Sequence, residues 1–313
     1  MRYRRRKRDG FALLAVLWVI VGLTTLSLAA SLTTRNALSA ARNRTELTRA
    51  RWAANDCLER ARAAMATALL APEIEDRRGL SGWSALDGAV GSSPLVTSAH
   101  CDVRLRAVGS RIDINHADAE MIGALLGRLG IAAPRQDSMV DALLDWRDAD
   151  DVPRPLGAER AWYAAHRRFA PRNGFFGSVR EISRVRGFET LGGLDSVLDV
   201  EPGRVSLAHA SPTVIGALPG LGDEAIARII ERRARGLTLD DMSALAGQLS
   251  PAAGRRMLAR YSDLSHYATT EPDAWILEAR ATRGAPPVTA VIEARIARAG
   301  DRAAIVRLRS WSS

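Results

Sequence analysis

The sequence predicts an α+β fold, in which a long N-terminal helix packs on a small antiparallel sheet and a large helical region is inserted between the strands. Three observations support this prediction. No Gly or Pro interrupts the chain between Gly22 and Pro72, which allows one long helix. Strand-like alternation occurs near residue 105 and again after residue 274. The stretch between these two regions has a helical pattern with an internal repeat.

A basic block and an apolar run open the chain. Residues 2–8 hold six basic side chains, and the twenty residues 11–30 carry no charge. At about 1.5 Å per residue this run spans roughly 30 Å, the thickness of the hydrocarbon core of a bilayer. Because basic residues beside a membrane segment stay in the cytoplasm, we expect one membrane span, with the rest of the chain on the far side.

Three interpretations of this segment remain open. A cleaved secretory signal has a shorter apolar core, although Ala29-Ala30-Ser31 could pass for its cleavage site. A plain signal anchor fits the length and the charges. The third is a type IV prepilin leader, which the basic residues ending in Gly10 and the following Phe11 resemble. That resemblance implies cleavage after Gly10 by a prepilin peptidase and N-methylation of Phe11, the new N-terminus.

Ala15 departs from the usual pattern of this class. Most pilins and pseudopilins carry Glu at the fifth mature position, where it is thought to neutralise the N-terminal amine of a neighbouring subunit. A charge without a partner is costly in an apolar assembly. A subunit with no neighbour above it can dispense with this Glu, so Ala15 indicates a position at an end of a filament.

Beyond the apolar run the helical pattern continues as an amphipathic stripe. Its apolar positions recur every three or four residues, as on one helix face: Leu47, Ala50, Ala54, Leu58, Ala61, Met65 and Leu69. We therefore predict one helix over residues 11–70, roughly 90 Å long, half in lipid and half packed on protein. Residues 71–99 are rich in Gly, Ser and Pro and are predicted to be loop.

Strands are predicted on both sides of the central region. Residues 100–112 alternate in part, with Val103 and Leu105 on one side. In the tail, three short runs are separated by Gly and Pro: residues 275–281, 288–297 and 303–311. Three antiparallel strands joined to the strand near Val103 would complete a small sheet, although the middle run also has the composition of a helix.

Charge and cysteine content limit the partners and the chemistry. The formal charge of +9 falls to +4 without residues 1–10, since this segment holds six basic residues and one acid. Such a mildly basic chain argues against a large nucleic-acid interface. Cys57 and Cys101 can form at most one disulfide, which an oxidising compartment would permit, and two buried thiols remain the alternative.

The central region contains an internal repeat. Residues 114–126 align without gaps to residues 207–219, with six of thirteen positions identical. Asp118 and Ser211 occupy the positions expected for helix N-caps. The second copy continues through a Gly-x-Gly turn at 220–222 into another helical pattern, and so resembles a helix-hairpin-helix or SAM-like unit.

Helix-hairpin-helix units either bind nucleic-acid phosphates at the hairpin or serve as packing modules. Asp223 and Glu224 begin the second helix of the hairpin and would repel a phosphate there. We therefore expect protein–protein packing and no nucleic acid. The alternative is a membrane-anchored DNA-binding protein of a competence-like uptake system.

The most distinctive stretch is residues 145–163, DWRDADDVPRPLGAERAWY. Its D-W-x-D-x-D run, followed by G-A-E and then Tyr, resembles the minor pseudopilin K family of type II secretion systems, as do the Gly10 junction, Ala15 and the repeat. The resemblance implies a pilin-like fold in the inner membrane, with its bulk in the periplasm, that caps the pseudopilus tip and promotes its assembly. It also implies partners: other minor pseudopilins, the major pseudopilin, the prepilin peptidase, the inner-membrane platform, and secreted substrates or the secretin.

Five carboxylates in this stretch are candidate metal ligands: Asp145, Asp148, Asp150, Asp151 and Glu159. Val152 and Pro153 break the EF-hand pattern that their spacing otherwise suggests. Hard oxygen ligands in a proline-stiffened loop outside the cytoplasm suit Ca²⁺, and calcium sites in the family agree with this. The alternative is that the acids cap helices and pair with arginines, namely Arg147, Arg154 and Arg160.

No catalytic motif stands out. The five histidines are scattered, and the chain has no HExxH, GxSxG or P-loop, so we expect no enzyme and no cofactor other than calcium. The predicted boundaries are a leader at 1–10, a transmembrane half-helix at 11–34, a pilin-like helix and strand at 35–111, an inserted helical domain at 112–265, and C-terminal strands at 266–313.

Overall fold

The structure is a computed structural model. It describes residues 9–70, 82–97, 101–237, 239, 241–300 and 302–312, and gives the backbone alone for residues 9–12. The predicted basic block at 2–8 lies outside the described residues.

The elements follow the predicted α+β order. The helices are α1 (Asp9–Leu70), α2 (Leu86–Ser92), α3 (Pro94–Thr97), α4 (Ala119–Arg128), α5 (Ala133–Arg147), α6 (Arg160–Ala165), α7 (Pro212–Ile215), α8 (Asp223–Ala234), α9 (Met242–Ala246), α10 (Pro251–Ala259) and α11 (Tyr261–Tyr267). Two 3₁₀ segments cover Val179–Arg184 and Leu194–Ser196. The strands are β1 (Asp102–Ala107), β2 (Ile112–Asp113), β3 (Leu198–Asp199), β4 (Val205–Ser206), β5 (Ala268–Thr269), β6 (Ala274–Arg283), β7 (Val288–Ala299) and β8 (Arg302–Ser312).

The first helix divides into two halves of different character. Its N-terminal half exposes large apolar side chains, among them Leu13, Trp18 and Leu28. Within the described residues, α1 is the one helix long and apolar enough to cross a membrane. Its C-terminal half buries the predicted stripe from Ala50 to Met65 against the sheet.

The segment predicted to be loop contains two short helices, so the prediction was wrong for residues 86–97. Leu86 and Val90, one turn apart on α2, are buried against α1 together with Val96 of α3. Gly88 and Gly91 give this stretch a loop-like composition, and tertiary burial of its apolar face overrides their low helix propensity. Residues 71–81 and 98–100 of the predicted loop lie outside the described residues.

The four-stranded sheet is antiparallel in the order β1-β6-β7-β8, and this confirms the predicted sheet. β1 pairs with β6 across the inserted region, with Leu105 opposite Leu277. Trp275, Leu277 and Ala279 of β6 pack with α1 in one core. The central run of the tail is strand β7 rather than the helix that its composition also allowed.

A disulfide joins the long helix to the residue before the sheet. Cys57 of α1 is bonded to Cys101, with an S–S distance of 2.11 Å and a Cα–Cα distance of 5.4 Å. The bond closes a loop of 44 residues that contains α2 and α3. It therefore holds these two helices between α1 and β1.

The inserted region consists of two tandem units, which we call unit 1 (residues 112–199) and unit 2 (residues 205–269). Each unit begins and ends with a two-residue strand, and the two strands of a unit pair in parallel, β2 with β3 and β4 with β5. The Ile114 amide donates to the Asp199 carbonyl, and the Leu207 amide donates to the Thr269 carbonyl. The repeat detected in the sequence is thus the start of a larger repeated unit.

A half-buried arginine completes the core of each unit. Arg147 donates hydrogen bonds to the carbonyls of Ile114 and Ala117. Arg233 donates to the carbonyls of Leu207 and Ala210, which are the aligned positions of unit 2. Two carbonyls that would otherwise be buried without a donor are satisfied in the same way in each copy.

Charged side chains fasten the helical region to the sheet. Glu201, which lies between the two units and is buried, binds Arg295 of β7 at 3.2 Å and also binds Arg307 of β8. Arg204 binds Asp273, just before β6, at 2.7 Å. Removing one partner of such a buried pair leaves an uncompensated charge, so these contacts resist separation of the two regions.

Candidate functional site: a buried carboxylate cluster in unit 1

The end of α5 is fixed by aromatic packing. Trp146 is fully buried, and its indole Nε1 donates to Glu181 Oε1 at 3.2 Å. Its ring lies edge-on to Tyr163 of α6 at 5.3 Å and parallel to Phe176 at 6.4 Å. These contacts hold the two residues that flank Trp146, Asp145 and Arg147, in defined directions.

Three of the five predicted carboxylates come together beside Trp146. One oxygen from each of Asp145, Asp148 and Glu159 lies within 4.8 Å of the others. Asp145 is completely buried and Glu159 is 3% exposed. Arg154 Nη1 lies 2.7 Å from Asp145 Oδ1 and also binds Asp148, so one cation faces three carboxylates.

Glu159 is the least satisfied member of the cluster. Among the described residues, neither of its carboxylate oxygens has a hydrogen-bond partner, and Asp148 Oδ1 also lacks one. Burial raises the pKa of Glu159 to about 7, and the negative charges of Asp145, Asp148 and Asp151 act in the same direction. Glu159 stands at the N-cap position of α6, but its side chain makes no capping bond.

The other two predicted carboxylates have different partners. Asp150 Oδ1 accepts a hydrogen bond from the Val152 amide at 2.8 Å. Asp151 Oδ1 accepts one from Asn173 Nδ2 at 2.9 Å and lies 3.5 Å from Arg160. Both residues are exposed, so they shape the loop rather than the cluster.

Arginine pairing was the alternative to a metal site, and it holds for Arg154 and Arg160. Arg147 instead directs its guanidinium to two backbone carbonyls. Because Arg154 compensates one charge of three, pairing leaves the buried oxygens of Glu159 without a partner among the described residues. Buried polar atoms of this kind require a donor or a cation.

The cluster suits a hard cation. Ca²⁺ binds six to eight oxygens from carboxylates, amide and backbone carbonyls and water. The free acceptors are both oxygens of Glu159 and Oδ1 of Asp148. Asn173 Oδ1 is also buried without a partner among the described residues, and its amide nitrogen binds the Asp150 carbonyl at 2.7 Å. The oxygens of Asp148 and Glu159 would hold the ion, together with the carboxylate of Asp145 in the same cluster.

Two residues of the site escaped the sequence analysis. Gly157 lies against Asp145, and a Cβ atom at this position would stand 1.9 Å from Asp145 Oδ2. The G-A-E motif contained this glycine, so its role was accessible as a close approach between backbone and carboxylate. The segment between α5 and α6, residues 148–159, is called the acidic loop below. Asn173 gave no such signal, because it binds this loop from 22 residues away in the sequence.

The hairpin of unit 2 presents carboxylates where a phosphate would bind. Asp223 pairs with Arg128 at 2.6 Å, and Glu224 accepts hydrogen bonds from the amide and hydroxyl of Ser250. Gly220 adopts φ +75°, and a Cβ there would meet Arg260 Cβ at 3.0 Å. The hairpin therefore packs against the start and end of α10.

At the N-terminus, Gly10 lies within α1, while the side chain of Phe11 is outside the described residues.

Comparisons with known proteins point to one family. Residues 104–191, which include the whole carboxylate cluster, match a family model described as type II secretion system (T2SS), protein K. No curated protein sequence matches the chain. The fold resembles a chain in the crystal structure of the GspK-GspI-GspJ complex from the type 2 secretion system of enterotoxigenic Escherichia coli, with a TM-score of 0.58 and 16% identity. That alignment covers 87% of this chain and 99% of the other. Residues 104–191 are thus similar to protein K of type II secretion systems, and the chain as a whole shares its fold with a chain of the GspK-GspI-GspJ complex.

Proposed function

We propose that the chain is a minor pseudopilin that occupies the tip of a periplasmic pseudopilus and promotes its assembly for the export of folded proteins. One observation carries the proposal: units 1 and 2 are fastened to the pilin-like sheet by the buried pairs of Glu201 and by Arg204–Asp273. Since this bulk cannot swing aside, it would clash with the next subunit in a repeating shaft. An end position avoids the clash.

The N-terminal sequence supports the same position. Ala15 replaces the usual Glu, so the subunit has no group to neutralise the amine of a neighbour above it. The apolar half of α1 would pack with other pseudopilins below, and GspI and GspJ in the similar complex are the model for such partners. The major pseudopilin, the prepilin peptidase and the inner-membrane platform would act on or contact this same helix.

Immunogold labelling of pseudopili tests the tip position. We expect an antibody against units 1 and 2 to label one end of each filament, while an antibody against the major pseudopilin labels the whole length. Label along the shaft would overturn the proposal. Secreted substrates and the secretin are the further partners that a subunit at this end would meet.

Processing is a second, separable step. We propose cleavage after Gly10, methylation of Phe11, and an inner-membrane span with the N-terminus in the cytoplasm. The mass of the protein isolated from host membranes should correspond to a chain that starts at methylated Phe11. Gly10→Val should leave the full-length chain, whereas Gly22→Val in the same helix should be processed normally. A wild-type chain that begins at Met1, or near Ala30, would contradict this pathway.

We also propose that the carboxylate cluster of unit 1 binds Ca²⁺ as a structural ion. The support is that Asp148 and Glu159 have buried oxygens without partners among the described residues and lie in one cluster with Asp145. Calcium would neutralise Glu159 and join the end of α5 to the start of α6. Calorimetric titration of the EDTA-treated protein should show one calcium ion per chain, and no heat above that of buffer would refute the site. An ion that only holds two segments together fits an assembly subunit rather than an enzyme.

A further inference from the structure

Unit 1 carries a surface of aromatic and arginine side chains, which we call the aromatic–arginine surface. Four of its residues are exposed, namely His166, Arg167, Phe169 and Arg184, and two are half-buried, namely Trp162 and Arg186. The ring of Trp162 stacks on His166, with centroids 3.9 Å apart, and Arg186 lies over the same ring at 4.9 Å. Arg184 lies over Phe169 at 5.5 Å. At 78%, Phe169 is the most exposed aromatic side chain among the described residues.

The positive charge of the chain is concentrated here. Residues 160–189 contain seven arginines and two glutamates, a net charge of +5, against +4 for all residues after Gly10. The rest of that chain is therefore close to neutral. Within the described part of the chain, Arg167 and Arg184 form no ion pair with a carboxylate, although Arg168 between Arg167 and Phe169 pairs with Glu189.

The position of Arg184 over Phe169 leaves its N–H donors available for a second interaction. A guanidinium that lies over a ring uses its face, and its N–H donors point outward in its own plane. Those donors match the two oxygens of a carboxylate. The exposed rim of Phe169 beside them offers contact area for an apolar side chain, so Arg184 and Phe169 together match an acidic residue next to an apolar one.

Two non-glycine residues of the same loop adopt the left-handed backbone conformation. Among the described residues, the non-glycine residues with positive φ are Arg167 at +53° and Asn173 at +50°, and they bracket Phe169. Such conformations are uncommon and persist where the surroundings enforce them, often at binding sites. Asn173 is held by the acidic loop, through its bonds to Asp150 and Asp151. These bonds anchor the C-terminal side of the loop that presents Phe169.

We propose that the aromatic–arginine surface is a docking site for an acidic protein segment, in which carboxylates alternate with apolar side chains. The unpaired arginines supply charge complementarity, and Phe169 supplies the apolar contact typical of an interface anchor. An anionic lipid surface is the competing ligand for basic and aromatic side chains. Because binding to a bilayer scales with the apolar area that is inserted, a single protruding ring favours a protein segment over insertion.

The test uses the mature full-length chain in nanodiscs of zwitterionic lipid. A short fluorescein-labelled peptide in which Asp alternates with Leu is the probe, and binding is measured by fluorescence anisotropy. Two further peptides replace either the Asp or the Leu residues with Ser. We expect the Asp-Leu peptide to bind at least about tenfold more tightly than either Ser-containing peptide, a ratio well within the range of one bidentate contact and one apolar anchor.

A paired set of variants locates the binding. Phe169→Ser with Arg184→Glu should weaken binding of the Asp-Leu peptide about tenfold or more without lowering the melting temperature, because both side chains are exposed. The matched control is Leu258→Ser with Arg255→Glu on α10, which makes the same changes at exposed positions and should leave binding intact. Equal binding by both double variants, or no binding by the wild type, would overturn the proposal. If the protein floated with phosphatidylglycerol vesicles and did not bind the peptide, the proposal would be overturned in favour of a lipid surface. Because the assay uses isolated protein, its result does not depend on the tip position.

Discussion

Units 1 and 2 share three structural features, which we call the frame, and differ in the segments that follow them. Each has a closing pair of parallel strands, a capped first helix and an arginine that binds two carbonyls. After that arginine, unit 1 continues into the acidic loop, α6 and the aromatic–arginine surface, whereas unit 2 continues into α9, α10 and α11. Arg147 and Arg233 are equivalent by their hydrogen bonds, and counting back two residues from each places Asp145 of unit 1 opposite Glu231 of unit 2.

The comparison separates residues that build the unit from residues that give one copy its chemistry. Aligned positions with the same contacts, such as Arg147 and Arg233, belong to the frame. Carboxylates buried in unit 1 have an exposed counterpart in Glu231, which pairs with Arg228 and Arg235 on the helix surface. Binding functions are therefore expected in unit 1, and packing functions in unit 2.

The largest expected effect is the loss of a frame arginine. Arg147→Met and Arg233→Met should each lower the free energy of unfolding by about 3 kcal/mol, since each leaves two buried carbonyls without a charged donor. Burial lowers the pKa of both guanidiniums, of Arg233 to about 10, which reflects how little water reaches them. Urea unfolding followed by tryptophan fluorescence measures the loss. Arg135→Met, an exposed arginine of α5, is the control and should change little. Unequal losses at the two arginines would show that the units do not share one frame.

The next effect separates the carboxylates of the two units. At a calcium concentration a hundred times its dissociation constant, the wild type should gain about 2.7 kcal/mol of stability. Glu159→Gln should remove most of this gain, because it replaces the carboxylate whose two oxygens lack partners among the described residues. Glu231→Gln removes the same charge from the surface of unit 2 and should keep the gain. Thermal unfolding with calcium and with EDTA measures all three proteins. A gain retained by Glu159→Gln would exclude Glu159 as a ligand.

The pH dependence without calcium gives a smaller effect. The pKa of Glu159 is about 7 in the folded chain and near 4.5 when it is unfolded, so the folded state binds the extra proton between these values. Its contribution to stability is complete below pH 4.5 and is lost as the pH rises through 7. We expect a loss of up to about 2 kcal/mol once water penetration is allowed for. The difference between wild type and Glu159→Gln in EDTA isolates this group, and a difference that does not change with pH would contradict the raised pKa.

Sequence analysis reached those features that depend on local patterns. The buried stripe of α1, the tail strands and the caps at Asp118 and Ser211 follow from periodicity and from capping chemistry, which act over a few residues. Helix α2 was missed because its two glycines lower the local helical signal, and the burial of Leu86 and Val90 decides its conformation.

Long-range contacts account for the rest. The sequence did not distinguish among the five carboxylates. In the structure, the close approach of Gly157 to Asp145 places Glu159 beside Asp145. Asp151 instead binds Asn173 outside the cluster. The role of Arg147 was misjudged for a related reason, because its proximity to acids in sequence suggested an ion pair. Its alignment with Arg233, which has no such acidic run after it, becomes informative only when the whole unit is known.

The smallest effect distinguishes the two helix caps. Asp118 Oδ1 accepts a hydrogen bond from the Met121 amide at 2.8 Å, and its Oδ2 accepts one from the hydroxyl of Tyr267 at 2.8 Å. Among the described residues, Ser211 Oγ accepts a hydrogen bond from the Val214 amide alone, at 3.3 Å. Loss of a cap by substitution with Ala costs about 1 kcal/mol. Asp118→Ala should therefore destabilise by about 2 kcal/mol and Ser211→Ala by about 1 kcal/mol, measured by urea unfolding.

Tyr267→Phe separates the two contributions of Asp118. Tyr267 ends α11 in unit 2, so its bond to Asp118 joins the two units. If the cap energies are alike, Asp118→Ala should exceed Ser211→Ala by the amount that Tyr267→Phe removes, about 1 kcal/mol. Adding Tyr267→Phe to Asp118→Ala should then cause little further loss, because the two side chains share one interaction. Additive losses would mean that the Asp118–Tyr267 bond contributes no stability and that the Asp118 cap is intrinsically the stronger of the two.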